Sequence, residues 1–341
     1  MKRLLAVLLV TLALGAVMAG LAWREAQAWL SAPLPVPAEG KVFVIDPGST
    51  LGSVAHDLES AGVLAQPRWF VWLARWRQSA GAIQAGEYLL SPGTTPDELL
   101  EQFTGGRVVQ HTFTIIEGWS FRQLREALQT APLLEQSLAG VADDAVMREL
   151  GFEDQHPEGR FFPDTYAFPR GTTDAALLKR AHDRMQRELA AAWGERAEDL
   201  PLANPEEALI LASIIEKESS LDSERDAIAG VFVRRLRRGM RLQTDPTVIY
   251  GLGDAYDGNI RRDDLQRDTP YNTYTRKGLP PTPIAMPSAT SLAAAVAPRE
   301  GTALYFVATG DGDGAHYFSD TLEEHNAAVQ RYLKKLRSRP R

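Results

Sequence analysis

The stretch "EEALILASIIEKESS" sets Glu216 and Glu218 two positions apart at the end of a segment that is apolar and long enough for about four helical turns. A carboxyl group that keeps its proton near neutral pH can protonate the oxygen of a breaking bond and, as carboxylate, take a proton back. At about 100° per residue, the mean direction of Leu209, Ile210, Leu211, Ile214 and Ile215 falls within roughly 20° of Glu218 and nearly opposite Glu216. Glu216 then shares a face with Ala212 and Ser213, where a solvated or ion-paired carboxylate is ordinary. Glu218 is aimed at the core side, where an unpaired charge is costly and the pKa rises. That is the state a general acid requires. The pattern leaves an alternative open, a buried Glu218 paired with Arg225 or Arg234.

Three further stretches could surround such an acid. "EGRFFPDTYAFP" offers Glu158 and Asp164 among aromatics, Phe162 included; either acid could be the second carboxylate of an ordinary glycosidase, or the segment could line a cleft or buttress Glu218. "RLQTDPTVIYGLG" brings Gln243, Thr244, Asp245, Thr247 and Tyr250, and "TPYNTYTRKGLPPTPIAMPS" brings Tyr271, Asn272 and Tyr274. Long polar segments with rings and amides suit a groove for an extended sugar chain, since sugars present hydroxyls at their rims and C–H faces to rings. A surface loop stiffened by its five prolines is the other reading.

Other chemistries find little support. The chain has 6 histidines without metal-protease or paired-ligand spacing, and no cysteine, which removes thiolate metal sites, disulfides and cysteine nucleophiles. No phosphate-binding glycine loop, dinucleotide fingerprint or serine elbow is present, and no cofactor or metal is expected. "GDGDG" lacks the remaining ligands of a calcium loop and reads as a hairpin turn. A net charge of −7 over 341 residues gives no reason to expect a nucleic-acid partner. The local run "VRRLRRGMR" could dock on an acidic surface or anionic wall polymer, or be a helical face with a buried partner or two.

The elements that must position these residues are those of a globular chain, 44% apolar and 24% charged. "FVIDPGSTLGSVAHDL", "YLLSPGTTPDELLEQF" and "FTIIEGWSFRQLREAL" repeat one scheme. Each has a β-prone run, a turn glycine (Gly48, Gly93, Gly118), a capping Ser or Thr, and leucines at helical spacing. Small strand-turn-helix units of this kind resemble lysin-motif modules in shape, and a structural α/β module without a ligand fits equally. A strand beginning at Val108 follows. Beyond it, "DAALLKRAHDRMQRELAAAW" and "PEEALILASIIEKESS" are periodic helices, "LYFVAT" and "AHYFS" are strands, and Thr321 with Glu324 has capping-box spacing for a closing helix. The fold class is α+β.

At the N-terminus, Lys2 and Arg3 precede an uncharged run from Leu4 to Trp23, long enough to cross a bilayer as a helix. The charge asymmetry places the N-terminus in the cytoplasm and the rest outside. "AQA" at Ala26 to Ala28 allows a cleaved signal peptide, although the apolar run is longer than signal peptides use. Pro33, Pro35 and Pro37 favour an extended spacer with no packed core of its own. The boundaries are therefore 1–3 cytoplasmic tip, 4–23 transmembrane anchor, 24–40 Pro-rich linker, 41–107 lysin-motif-like subdomain and 108–341 mixed helix/strand catalytic domain.

With an N-terminal anchor followed in order by "EGRFFPDTY", "LASIIEKES", "RLQTDPTVIYG", "YNTY" and "GLPP", the chain resembles the endolytic murein transglycosylase (YceG-like) family over nearly its whole length. The resemblance implies a single-pass bacterial inner-membrane enzyme with its catalytic domain in the periplasm. Such an enzyme is a peptidoglycan lytic transglycosylase that cuts nascent glycan strands at the MurNAc–GlcNAc β-1,4 bond and so terminates their elongation. The resemblance makes the second glutamate of "EKE", Glu218, the catalytic acid/base, and the C6 hydroxyl of MurNAc closes onto C1 to leave a 1,6-anhydro end. A second carboxylate is then unnecessary. Gln243, Asp245, Thr247, Tyr250, Tyr271, Asn272, Tyr274, Phe162 and Asp164 become candidate sugar contacts. The partners implied are peptidoglycan glycan strands, the inner membrane through the N-terminal helix, and peptidoglycan synthases. After "GLPP" the chain departs from the family pattern, with Thr282, Met286 and Ser288 in "TPIAMPS". A hydrolytic muramidase and a non-catalytic wall-binding scaffold are the rival functions.

Overall fold

Three glycine turns organise the first third of the chain. In the computed structural model, which describes residues 2–338, Gly48, Gly93 and Gly118 all adopt left-handed φ values (83°, 87° and 74°). The residues that follow, Thr50, Thr95 and Ser120, each close a reciprocal capping box on the next helix. The chain divides into two compact units. The first comprises residues through His111 together with Phe168–Gly171, and the second holds the remainder.

The first unit begins with helix α1 (Lys2–Ser31), whose side chains from Val7 through Arg24 are exposed. At 1.5 Å per residue it is about 45 Å long. Its Val7–Ser31 portion is apolar enough to cross a membrane. The helix does not stop at Trp23, as the sequence suggests, and the Pro-rich stretch is not a free spacer. Trp29 and Leu30 pack on the core of this unit, Leu34 is buried, and the Leu34 N–H donates to the Thr94 carbonyl at 2.8 Å. Alternate prolines stiffen the stretch, but the apolar residues between them find a core to bury against. Met1 lies outside the described residues.

Strand β1 (Lys41–Ile45), α2 (Leu51–Ser60), α3 (Pro67–Trp76), β2 (Gly86–Leu90) and α4 (Pro96–Thr104) complete the unit. The two strands pair antiparallel, Lys41 opposite Leu90 and Ile45 opposite Gly86. Their alternating residues Phe43, Ile45, Tyr88 and Leu90 are buried, as period-2 patterning requires. Phe103 of α4 sits among Phe43, Phe70 and Tyr88, with ring centroids at 5.9, 6.4 and 4.7 Å. Truncating a ring so enclosed costs about 3–5 kcal/mol.

Strand β3 (His111–Thr114), which lies in the second unit except for His111, is shorter than the strand expected from Val108 and pairs with β4 (Thr165–Phe168), which follows α5 (Phe121–Gln129) and α6 (Asp143–Glu149). The helical body is α7 (Asp174–Gly194), α8 (Pro205–Glu218) and α9 (Asp222–Arg237), followed by α10 (Asp245–Leu252), α11 (Arg262–Gln266) and α12 (Ala289–Val296). The hairpin β5 (Tyr305–Ala308) and β6 (His316–Ser319) encloses the "GDGDG" turn, and α13 (Leu322–Ser338) closes the chain behind a Thr321/Glu324 box. Helix α8 is the centre of this core. Every residue from Ala208 to Ile215 is buried, and its surroundings include Met185, Leu189, Ile228, Phe232, Leu292 and Ala295. A helix apolar all round belongs inside.

Candidate active site

Helix α8 starts where Asn204 Oδ1 accepts the Glu207 N–H at 3.0 Å and Pro205 occupies the first turn. It ends at Glu218, after which Ser219 is extended (φ −130°, ψ 130°). Its last turn therefore carries Glu216, Lys217 and Glu218 to the edge of the helical core.

The two glutamates meet different environments. The Glu216 side chain is only 5% exposed. Its carboxylate takes both terminal nitrogens of Arg225 at 3.1 Å, the Ser288 N–H at 2.9 Å and the Ser288 and Ser291 hydroxyls at 2.5 and 2.8 Å. This is a buried ion pair whose carboxylate is amply hydrogen-bonded, more enclosed than the weak-face position read from the sequence. The helical wheel could not rank the faces because protein covers every side of α8. Arg225, weighed as a partner for Glu218, belongs to Glu216, and Arg234 binds the Ala303 and Arg299 carbonyls.

Among the described residues Glu218 has no arginine partner. Its carboxyl accepts a hydrogen bond from Thr244 Oγ1 at the start of α10, and the residue retains limited exposure. Burial pushes its pKa up to about 7. The Thr244 hydroxyl opposes that shift, the Asp245 charge adds to it, and the Arg235 charge opposes it. Arg235 is occupied elsewhere, donating to the Leu304 and Leu242 carbonyls at 2.7 Å each. The Thr244 backbone is held in turn: its N–H donates to Thr273 Oγ1 at 3.1 Å, and Thr247 Oγ1 donates to its carbonyl at 2.8 Å. Gln243, just before it, has a left-handed φ of 50°, a conformation of the sort that clusters at functional sites.

Beside this turn opens a cavity of about 900 Å³, lined among others by Ser120, Glu158, Lys217, Pro246, Tyr250 and Tyr271. Glu218 does not line it. The adjacent Lys217 does, with its Nζ donating to the Gly118 carbonyl at 3.1 Å. Glu158 is a second enclosed carboxyl, 3% exposed, that accepts the Phe121 N–H at 2.9 Å and bonds the Tyr250 hydroxyl. Burial raises its pKa to about 7 against these hydrogen bonds. The chain reaches this position because Gly159 (φ 76°) packs where a Cβ would lie 2.5 Å from Pro283 Cβ.

The residues singled out in the sequence divide into three groups. Tyr250 and Tyr271 line the cavity, their rings edge to face at 4.8 Å, and Tyr271 bonds Thr282 Oγ1 at 2.8 Å. Asp245 accepts from the Tyr274 hydroxyl at 2.6 Å beside Glu218, with Gln243 exposed nearby in the chain. The others are engaged in the scaffold. Thr247 is fully buried, and Asn272 spends its amide on the Asp264, Leu265 and Arg267 carbonyls. Phe162 lies in the core under the Arg184 guanidinium, and Asp164 is ion-paired with Arg184. Lys217 and Arg122 at the cavity were not among the candidates, because nothing local distinguishes them from solvated cations. Met286 and Ser288, where the chain departs from the family pattern, are buried, Met286 exchanging backbone bonds with Trp119 and Gly118. In the basic run, Arg234 and Arg235 bind carbonyls, as a helical face with buried partners would. Among the described residues no group of acids and histidines could hold a metal.

The unit is a mixed helix/strand one, with an enclosed glutamate at the end of its central helix that pairs with no cation among the described residues, beside a cavity lined by polar and aromatic side chains. A YceG-like family model matches residues 43–331, and the chain belongs to the YceG-like family. It is 31% identical over 319 residues to the endolytic murein transglycosylase of Bacillus subtilis strain 168, covering 88% of this chain and 87% of that protein. The endolytic murein transglycosylase of Streptococcus pneumoniae D39 is 27% identical over 340 residues, 89% of this chain, which spans 61% of that longer protein. A crystal structure of a yceG-like protein from Listeria monocytogenes superposes with a TM-score of 0.53 at 30% identity, covering 85% of this chain and 99% of that one.

Proposed function

We propose that this protein is an endolytic peptidoglycan lytic transglycosylase with Glu218 as its single acid/base. The observation that carries the reading is the Glu218 carboxyl itself: enclosed, bonded to Thr244, paired with no arginine among the described residues, and with its pKa pushed up by burial to about 7. Protonated Glu218 donates to the glycosidic oxygen that links MurNAc C1 to GlcNAc C4. The C1–O bond breaks, the GlcNAc hydroxyl leaves with that proton, and positive charge develops at C1. The Glu218 carboxylate then accepts the proton of the MurNAc C6 hydroxyl as O6 bonds to C1, leaving a 1,6-anhydro end. No water is consumed and the acid is restored.

The negative charge of Asp245, held by Tyr274, and the hydroxyls around Thr244 favour positive charge at C1. The cavity beside Lys217 and Tyr250 is the proposed sugar subsite. Residues 4–23 of α1 are the proposed single-pass inner-membrane anchor, with the catalytic unit in the periplasm, and residues 41–107, β1 through α4, are the proposed lysin-motif-like subdomain. Cutting nascent strands would make this protein a terminator of glycan elongation and a partner of peptidoglycan synthases.

A second reading, hydrolytic cleavage by a muramidase, is favoured by one observation: Glu158 supplies a second enclosed carboxyl at the cavity wall. Incubating the full chain and its Glu218→Gln variant with uncrosslinked glycan strands and weighing the products separates these readings. Anhydro products lie one water below hydrolytic ones, and only the native chain should form them. Hydrolytic masses would favour the muramidase, and cleavage unchanged in Glu218→Gln would overturn the assignment of the acid.

A further inference from the structure

Five of the seven tryptophans, Trp23, Trp29, Trp69, Trp72 and Trp76, fall on the anchor helix and on α3. Trp29, in the last turns of α1, packs edge to face on Trp69 of α3 with centroids 5.6 Å apart. Trp69, Trp72 and Trp76 follow at i, i+3 and i+7, one stripe of α3, while Phe70, Leu73 and Ala74 of the same helix are buried. Trp72 and Trp76 are 49% and 52% exposed and stack on each other at 5.8 Å. On the flank next to Trp72, Arg68 and Arg75 line a groove of about 420 Å³ between α2 and α3, with His56 opposite. Neither arginine forms an ion pair among the described residues, whereas Arg77 at the helix end is held by Asp97.

Large apolar rings left in water beside unpaired guanidinium groups ask for an occupant that is apolar below and anionic above. Continuity with α1 supplies it. If the hydrocarbon ends near Trp23, Trp29 stands six residues further along the helix, about 9 Å. That distance spans the headgroup layer, which adds roughly 5–8 Å to each side of the hydrocarbon. Helix α3 therefore starts at the height where tryptophan rings concentrate at membrane interfaces and where arginines meet lipid phosphates.

We propose that α3 is a membrane-surface helix: the Trp72–Trp76 face enters the headgroup layer of the membrane that α1 crosses, and Arg68 and Arg75 bind the phosphodiesters of anionic phospholipids. The proposal rests on the reading of α1 as an anchor. Its consequence is that anchor and small unit meet the bilayer as one body, so the first unit is fixed at the lipid surface and not held off it on a tether.

The chain contains no cysteine, so a single introduced one reports one position. Full-length Trp76→Cys carrying an environment-sensitive nitrobenzoxadiazole label is reconstituted in phosphatidylethanolamine/phosphatidylglycerol vesicles, with Glu198→Cys, exposed in the other unit, as the reference. The expected result is a blue-shifted label at position 76, quenched by lipids bearing a shallow nitroxide and several-fold less accessible to aqueous iodide than at 198. Adding Arg68→Glu and Arg75→Glu, or replacing phosphatidylglycerol by phosphatidylcholine, should return iodide access toward the reference value. Equal iodide access at 76 and 198 in a chain that floats with the vesicles overturns the proposal while leaving the anchor intact. A chain that does not float removes both. Shielding of the label by glycan strands, and not by vesicles, overturns it in favour of a sugar-binding face.

Discussion

Glu216 and Glu218 occupy the same turn of α8, and both are crowded by protein, yet the fold treats them in opposite ways. Glu216 is given Arg225, one backbone N–H and two serine hydroxyls, all donating to its carboxylate. Glu218 is given one threonine hydroxyl, an acidic neighbour, and an arginine already committed to carbonyls. Burial alone therefore does not mark a reactive carboxyl. The partner decides: the first group is a strut between α8, α9 and the start of α12, and the second is a proton store.

The largest contrast should appear in activity. Glu218→Gln is expected to lower the glycan cleavage rate by roughly 10²–10⁴-fold, the range for a general acid/base, while the thermal melt stays in place or rises above pH 7. Rates and melting of the two proteins check this. Arg225→Ala should do the reverse, leaving Glu216 as an uncompensated buried charge and costing about 3–5 kcal/mol in denaturant unfolding.

The pH dependence sharpens the comparison further. With the acid form active and the Glu218 pKa raised to about 7, kcat/KM should fall about tenfold per unit above that pH in the native chain. The stability linkage has a definite sign. Between the usual value of 4.5 and about 7 the folded state holds a proton that the unfolded state has lost, so Glu218 costs stability progressively as pH rises through that window. Its cost is absent below the window and constant above it. Glu218→Gln should therefore gain stability relative to the native chain as pH rises from 4.5 to 7, which unfolding curves across that range would reveal. The smallest effect is expected from Thr244→Val. The hydroxyl lowers the Glu218 pKa, so its removal should move the alkaline limb of the rate profile upward, read from a pH–rate series.

Local chemistry made much of this legible. Turn glycines with Ser or Thr caps gave three strand-turn-helix units, and the apolar run before "EKE" gave a buried helix ending in an enclosed acid. What local pattern could not supply was the identity of partners from elsewhere in the chain. Ser288 and Ser291 reach Glu216 from some 70 residues away, so the wheel treated as open a face that the loop before α12 covers. Asp164 and Phe162 sit in an aromatic, acidic stretch that reads like a binding surface, but Arg184 of α7 neutralises one and stacks on the other. Glu158 lines the cavity because Gly159 allows close approach to Pro283, a contact between segments more than 120 positions apart. The prolines after α1 signalled a spacer, and only the fold reveals that Leu34 is buried between them.

Catalysis by Glu218 requires that its carboxyl stay protonated to about neutral pH. Infrared difference spectra between the native chain and Glu218→Gln, taken through a pH series, isolate its protonated carbonyl stretch from those of the other acids, Glu158 included. The expected band disappears with a midpoint near pH 7. Loss of the band near pH 4.5, the ordinary glutamate range, would contradict it.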